Sequence, residues 1–423
     1  MRCKTDIVTT SNQHNLFPEL AMSIFYFIEK LHQELVQQSI NHIYFLSREG
    51  QPLLRMFEMY HERVGRGQII PHYLEVSRRS TLLPSLAPLA EETFDTLFRQ
   101  YRRISLFEFL SSLGLEVHTR SIAQALGMSD GADKIREDDF PSSSMFTALK
   151  ALPQFQELYK FERTERRQAF ISYLSQLTGE TPPAQLVIVD VGWKGTIQDH
   201  LFAMLCRDDD TSVQAVTGFY IGLVAEGAAG PSNNKYGLLF SSVSEPSPKF
   251  HVFNENRALF EILLAADHGS IISYQRSPDG RAHAVRGDFE EHEMLETEVF
   301  PVQYQLFKHF ERIVSRVPLL GSKHLLSFEE VVNAHARMVF KPSACERTWF
   351  SSVSHVENYG VFERSYFSTS EGRPSFVERL RFLIQLLQRR NLGTLGFWPW
   401  SMLYERGGAL PAAIYAFIRR QQP

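Results

Sequence analysis

Cysteine is scarce: the 423-residue chain has three, Cys3, Cys206 and Cys345, far apart and with no Cys-x-x-Cys pair. Few, odd in number and widely spaced, they exclude a disulfide framework and fit a reducing, cytoplasmic setting. The 15 histidines show no His-Glu-x-x-His helix or other ligand spacing, which argues against a zinc ion held by the protein. Charge of one sign is also lacking. With 44 Lys and Arg against 48 Asp and Glu the formal net charge is −4, so no global basic field points to nucleic acid. Long apolar runs are missing as well. The longest early one, Leu20 to Ile28, lies between Glu19 and Glu29, is too short to span a bilayer and is not followed by a cleavage signal. Neither a signal peptide nor a transmembrane helix is therefore expected.

Several familiar catalytic motifs are absent. Gly192-Trp193-Lys194-Gly195-Thr196 lacks the four-residue spacing of a Walker A loop, and no Gly-x-Gly-x-x-Gly follows a strand, which disfavours a dinucleotide site. There is no Gly-x-Ser-x-Gly nucleophile elbow. An Asp-x-Asp phosphatase nucleophile after an N-terminal strand is missing too.

What the chain does have is apolar bulk, 43% of residues, including 33 phenylalanines, enough for a large core. The most informative segment is Leu186-Val187-Ile188-Val189-Asp190 followed by Val191-Gly192-Trp193-Lys194-Gly195-Thr196 and the helix-like Ile197 to Leu205. A buried strand, a glycine-bearing loop and a helix start give free N–H groups and the positive end of a helix dipole; Lys194 adds a charge and Thr196 a hydroxyl, a set that suits phosphate. A similar unit precedes it: strand His42 to Leu46, loop Ser47-Arg48-Glu49-Gly50-Gln51, and a helix with Pro52 at its first position. Between them Tyr73 to Val76 reads as a short strand ending in Ser77-Arg78-Arg79-Ser80. In open α/β sheets ligands bind outside the carboxyl ends of strands, so three such exits describe an anion cleft.

Elsewhere, residues 1–15 read as a polar tail, 16–89 as the first part of an α/β core, 90–180 as a helical insertion, 181–290 as the second part of the core and 291–423 as mostly helical. Ser105 and Glu108 have capping-box spacing. Asn254 to Ala266 reads as one helix in which Glu261 sits among apolar neighbours; there it needs a partner, such as a cleft arginine, unless it faces solvent. The C-terminal aromatics and Arg419-Arg420 suit either a helix docked on the core or a peripheral contact with the inner face of a membrane.

Four ordered blocks, Tyr44 to Gly50, Tyr73 to Arg79, Val189 to Gln198 and Glu261 to Ser270, resemble the glycan phosphoribosyltransferase domain of bacterial dual-domain ribofuranosyltransferases over roughly residues 15–400. The resemblance implies an α/β fold with a phosphoribosyltransferase-like or divergent Rossmann-like parallel-sheet core, a large helical insertion and a mostly helical C-terminal region. It implies transfer of 5-phosphoribosyl from phosphoribosyl diphosphate, with Mg²⁺, to a glycan or lipid-linked glycan of a surface polysaccharide such as O-antigen or capsule. In two-domain relatives a phosphatase half then removes the 5-phosphate. Its motifs are missing here, so a separate phosphatase would be needed.

On that reading Ser47, Arg48, Gly50, Ser77, Arg78, Arg79, Gly192, Trp193, Lys194, Gly195, Thr196 and Gln198 bind the donor, and Asp190, Glu49 and His268 are candidates for ribose-orienting or general-base roles. Glu261 is a supporting residue and Asp190 a contact for Mg²⁺. A nucleotide-sugar glycosyltransferase, with Trp193 stacking on a base, and a nonenzymatic partner in a polysaccharide-assembly complex are the alternatives.

Overall fold

The structure, a computed structural model, describes residues 15–65, 67–179, 181–207, 211–243, 246–318, 325–358, 362–366, 375–389 and 397–422. The chain opens with helix α1 (Leu20–Gln37), strand β1 (His42–Leu46), helix α2 (Gly50–Val64) and strand β2 (Ile70–Leu74). Pro52 falls at the third position of α2, where the backbone nitrogen needs no intrahelical partner. Helix α3 (Arg78–Ser85) then leads into the insertion, which includes α4 (Leu106–Ser112) and returns along the 26-residue α5 (Pro153–Thr178). The expected capping box is present, with the Ser105 hydroxyl accepting from Glu108 N–H and the Glu108 carboxylate from Ser105 N–H. Leu82, Phe94, Phe109, Phe140, Phe146 and Tyr159 give the insertion an aromatic core of its own.

Strand β3 (Gln185–Asp190), helix α6 (Thr196–Leu205), β4 (Ala215–Leu223) and β5 (Asn233–Ser241) complete a five-stranded parallel sheet in the order β2-β1-β3-β4-β5. Each strand carries side chains to both faces. Ile43, Phe45, Val187 and Val189 join α1 and α2 in one core, whereas Tyr44, Leu46, Leu186 and Ile188 join α5 and α6 in another. Burial on both faces explains why these strands read as continuous apolar runs. The nine-residue edge strand β5 lies within a stretch rich in Gly, Ser, Pro and Asn, residues 225–249. A register shift after Tyr220 and the bare Gly222, whose added Cβ would lie 2.1 Å from the Phe240 ring, let β5 close on β4.

Asn254 to Ala266 does not form one helix. The helical residues are Phe250–Phe253 and α7 (Ala258–Leu263), and the break holds Glu255, which accepts bonds from the backbone N–H of Trp400 and the hydroxyl of Tyr415. The antiparallel hairpin β6 (Ile271–Arg276) and β7 (Ala282–Arg286) covers the exit of β2. The remainder is largely helical, with α8 (Phe300–Val314), α9 (Phe328–Phe340), α10 (Phe376–Arg389), α11 (Pro399–Gly407) and α12 (Ala409–Gln421), plus a hairpin of Ser354–Asn358 with Phe362–Tyr366. Among the described residues no helix is long and apolar enough to cross a membrane.

Candidate functional site at the switch point of the sheet

The helices that follow β1 and β3 pack on opposite faces of the sheet: Leu53, Met56 and Phe57 of α2 in one core, Leu201, Met204 and Leu205 of α6 in the other. Where adjacent strands send their connections to opposite faces, their carboxyl ends flank a crevice. Here those ends are Ser47-Arg48-Glu49 and Asp190-Val191-Gly192.

The first two loops are stitched together by Ser47, whose hydroxyl donates to Val76 O at 2.6 Å and accepts from Val76 N–H at 2.9 Å. Gly50 lets α2 press on β1, since an added Cβ would sit 2.8 Å from the Phe45 carbonyl carbon. Arg48 is tied to Glu291 at 2.8 Å with both side chains largely covered. Burial pulls its pKa down, but Glu291 and then Glu49 more than offset this, so the guanidinium stays charged. In the second loop Ser77 caps α3, its oxygen accepting from Ser80 N–H, and its hydroxyl donates to Ile271 O at 2.5 Å. Arg78, the first residue of α3, lies close enough to act electrostatically on Asp190. Arg79 is committed to Glu116 of the insertion at 2.5 Å.

The third loop is pinned on β4 by Gly222 N–H to Val191 O at 3.1 Å and Val224 N–H to Trp193 O at 2.8 Å. That approach demands glycine at 192, which has φ +136 and whose added Cβ would lie 2.1 Å from Gly222 O. Gly195 takes the left-handed conformation, φ +65, immediately before α6, which Thr196 opens. Lys194 is exposed, and its carbonyl accepts from Lys235 Nζ at 3.1 Å. Lys235, almost fully covered, also pairs with Asp199 at 2.7 Å. Trp193 donates its indole N–H to Glu261 at 2.6 Å, and the Arg257 guanidinium stands 5.2 Å above its ring.

Asp190 is the buried acid of the crevice. Its Oδ1 accepts from Val191 N–H at 2.8 Å. Burial raises its pKa well above the usual carboxylate range, and Glu49 pushes it further up; Val191 N–H lowers it, Glu261 raises it and Arg78 lowers it. Two further carboxylates, Glu49 and Glu261, and the Arg78 guanidinium thus act on Asp190 where β3 ends. His268 lies at the rim. Its Nδ1 faces the Gly269 carbonyl at 2.8 Å and must donate there, which leaves Nε2 to accept from the Tyr73 hydroxyl at 2.6 Å. Burial lowers its pKa, so the neutral ring is favoured.

The structure therefore brings Arg48, Glu49, Arg78, Asp190, the 192–196 loop and Glu261 together. It places two of the candidates elsewhere: Arg79 on the insertion, and Gln198 in a buried network with Tyr220 OH at 2.7 Å, Asn233 Oδ1 at 2.8 Å and Asn234 O at 2.8 Å. Glu261 faces Trp193, and the cation nearest it in sequence is Arg257, four residues earlier on the same helical turn. Glu291, Lys235 and Arg257 escaped sequence reasoning. For Arg257 the i,i+4 spacing to Glu261 was a usable signal; for Glu291 and Lys235 there was none, because their partners lie far away in the chain.

Among the described residues no group of three or more His, Cys, Asp or Glu is placed to hold a metal ion. The crevice offers hard carboxylate oxygens, Asp190 and Glu49 among them, the donor type that suits Mg²⁺ rather than a softer metal. No protein-family model and no curated protein matches this chain.

Proposed function

We propose that the protein is a pentosyl-class glycosyltransferase, a phosphoribosyltransferase that moves 5-phosphoribosyl from phosphoribosyl diphosphate to a hydroxyl of a glycan or lipid-linked glycan in surface-polysaccharide synthesis. The observation that carries this reading is the convergence of Arg48, Arg78 and buried Asp190 with the amino-terminal turn of α6 at one sheet crevice.

In the reaction the bond between C1 of ribose and the diphosphate oxygen breaks, the acceptor oxygen bonds to C1, and its proton passes to a base. Arg48 and Arg78 face the charge that grows on the leaving diphosphate. The N–H groups of the first turn of α6, with Lys194 and Thr196 beside them, take the 5-phosphate. Asp190 is the base. Burial and the neighbouring acids raise its proton affinity, so in its ionised form it draws the acceptor's proton strongly, whereas His268 is lowered and already occupied by Tyr73. Mg²⁺, when bound with the donor, would add positive charge at the diphosphate next to Asp190.

A nucleotide-sugar donor is less well served, because the Trp193 indole that would stack on a base is held at its edge by Glu261 and covered by Arg257. Purified protein mixed with phosphoribosyl diphosphate, Mg²⁺ and glycan acceptors should release pyrophosphate and yield acceptor heavier by one phosphopentose. Thermal stabilisation by nucleoside diphosphates together with indifference to phosphoribosyl diphosphate would overturn the proposal.

A further inference from the structure

Helix α12 is docked on the core by one face and bare on the other. Ala412, Tyr415 and Ala416 are buried, while Leu410, Ile414, Phe417 and Ile418, at positions i, i+4, i+7 and i+8, are 72%, 53%, 66% and 50% exposed. The helix is held firmly in this orientation. The Tyr415 hydroxyl donates to Glu255 at 2.9 Å, Lys249 Nζ to the Arg420 carbonyl at 3.0 Å, and Arg419 meets His251 at 2.9 Å. The bare stripe is therefore a fixed outer surface of the fold. Helix α10 repeats the pattern, with Val377, Leu380 and Ile384 exposed along one face and the exposed Arg381 among them, and α11 packs against both helices.

Charge selects the occupant. Residues 375–423 carry seven arginines, at 379, 381, 389, 390, 406, 419 and 420, against only Glu378 and Glu405, a net +5 in a chain whose formal net charge is −4. An aliphatic and aromatic helix face within a locally basic segment of an otherwise acidic protein is the pairing that an interfacial helix uses on an anionic bilayer: the apolar side chains enter the acyl boundary and the arginines meet lipid phosphates.

We propose that the outward face of α12, extended by α10, docks on a membrane surface rich in anionic phospholipid. This does not rest on the transfer reaction proposed above, because binding is measured without donor or acceptor. Full-length protein should co-sediment with vesicles of equimolar phosphatidylcholine and phosphatidylglycerol and bind at least about tenfold more weakly to phosphatidylcholine alone. Ile414→Asp with Phe417→Asp should weaken binding to the anionic vesicles by at least about tenfold while melting as the parent does. Leu410→Asp, at the most exposed of the four positions, gives an independent second variant with the same expected direction. Equal sedimentation with both vesicles, or parent-like binding by both folded variants, would overturn the proposal. So would a dimer in light scattering that these substitutions dissolve while no vesicle binds, because the face would then belong to a second copy of this chain.

Discussion

Asp190 has two roles to separate, since its Oδ1 accepts from Val191 N–H and its carboxyl lies buried beside Glu49 and Glu261. As a loop former it needs only an acceptor oxygen; as a base or metal contact it needs charge and a titratable proton. Asp190→Asn keeps the oxygen and the volume and removes a buried group that its neighbours repel. The expected outcome is a melting temperature equal to or above the parent's, with turnover lower by about two orders of magnitude. Parent-like turnover in a folded Asp190→Asn protein would leave Asp190 a loop-forming residue and shift the base to Glu49. The strand-end position of Asp190 was legible in the sequence because it depends only on an apolar run followed by glycine. The partner of Arg48 was not: Glu291 lies 243 positions away.

At the scale of the element, the 190–196 loop works because two glycines allow what no other residue would. Gly192→Ala meets both a positive φ and the Gly222 carbonyl at 2.1 Å, and backbone on both sides leaves no flexible group to yield. A loss of roughly 2–3 kcal/mol is expected, read as a lower denaturant midpoint with unchanged slope, together with a larger fall in donor binding because Trp193 and the start of α6 shift with the loop. A parent-like midpoint would mean that the loop detaches from β4 without cost. The strands β1 and β3 and the capping box at Ser105 were legible because their signals are local: apolar runs and an i,i+3 spacing. The break at 254–257 was not, since Asn254-Glu255-Asn256-Arg257 carries neither proline nor glycine to stop a helix, and Glu255 is engaged there by Trp400 and Tyr415, far away in the chain. Gln198 fails in the same way. The resemblance assigns it to the donor, whereas its amide is engaged by Tyr220, Asn233 and Asn234, brought to it by the neighbouring strands.

Across the whole molecule, Glu255 joins the second half of the core to the C-terminal helices. Its carboxyl accepts from Trp400 N–H at 2.7 Å and from Tyr415 OH at 2.9 Å. Burial pushes its pKa from 4.5 up to about 8, against the pull of those two bonds and of Arg419. The sign follows from proton counting. Below pH 4.5 both folded and unfolded chains hold the proton; between 4.5 and about 8 the unfolded chain releases it and the folded chain keeps it, so stability from this group falls as pH rises and levels off above about 8. Asp190 titrates in the same direction, whereas Glu346, lowered on balance by Arg337 despite its burial, contributes stability that is lost as pH falls, so the parent's total curve mixes them. Glu255→Gln isolates the one group: its amide oxygen still accepts from Trp400 N–H and its amide N–H can donate to the Tyr415 hydroxyl. The difference in melting temperature between parent and Glu255→Gln should move steadily in the variant's favour from pH 5 to pH 8. A difference independent of pH would mean that the Glu255 carboxyl ionises in the folded protein as it does in the unfolded chain, and that the docking of α11 and α12 is set by packing alone.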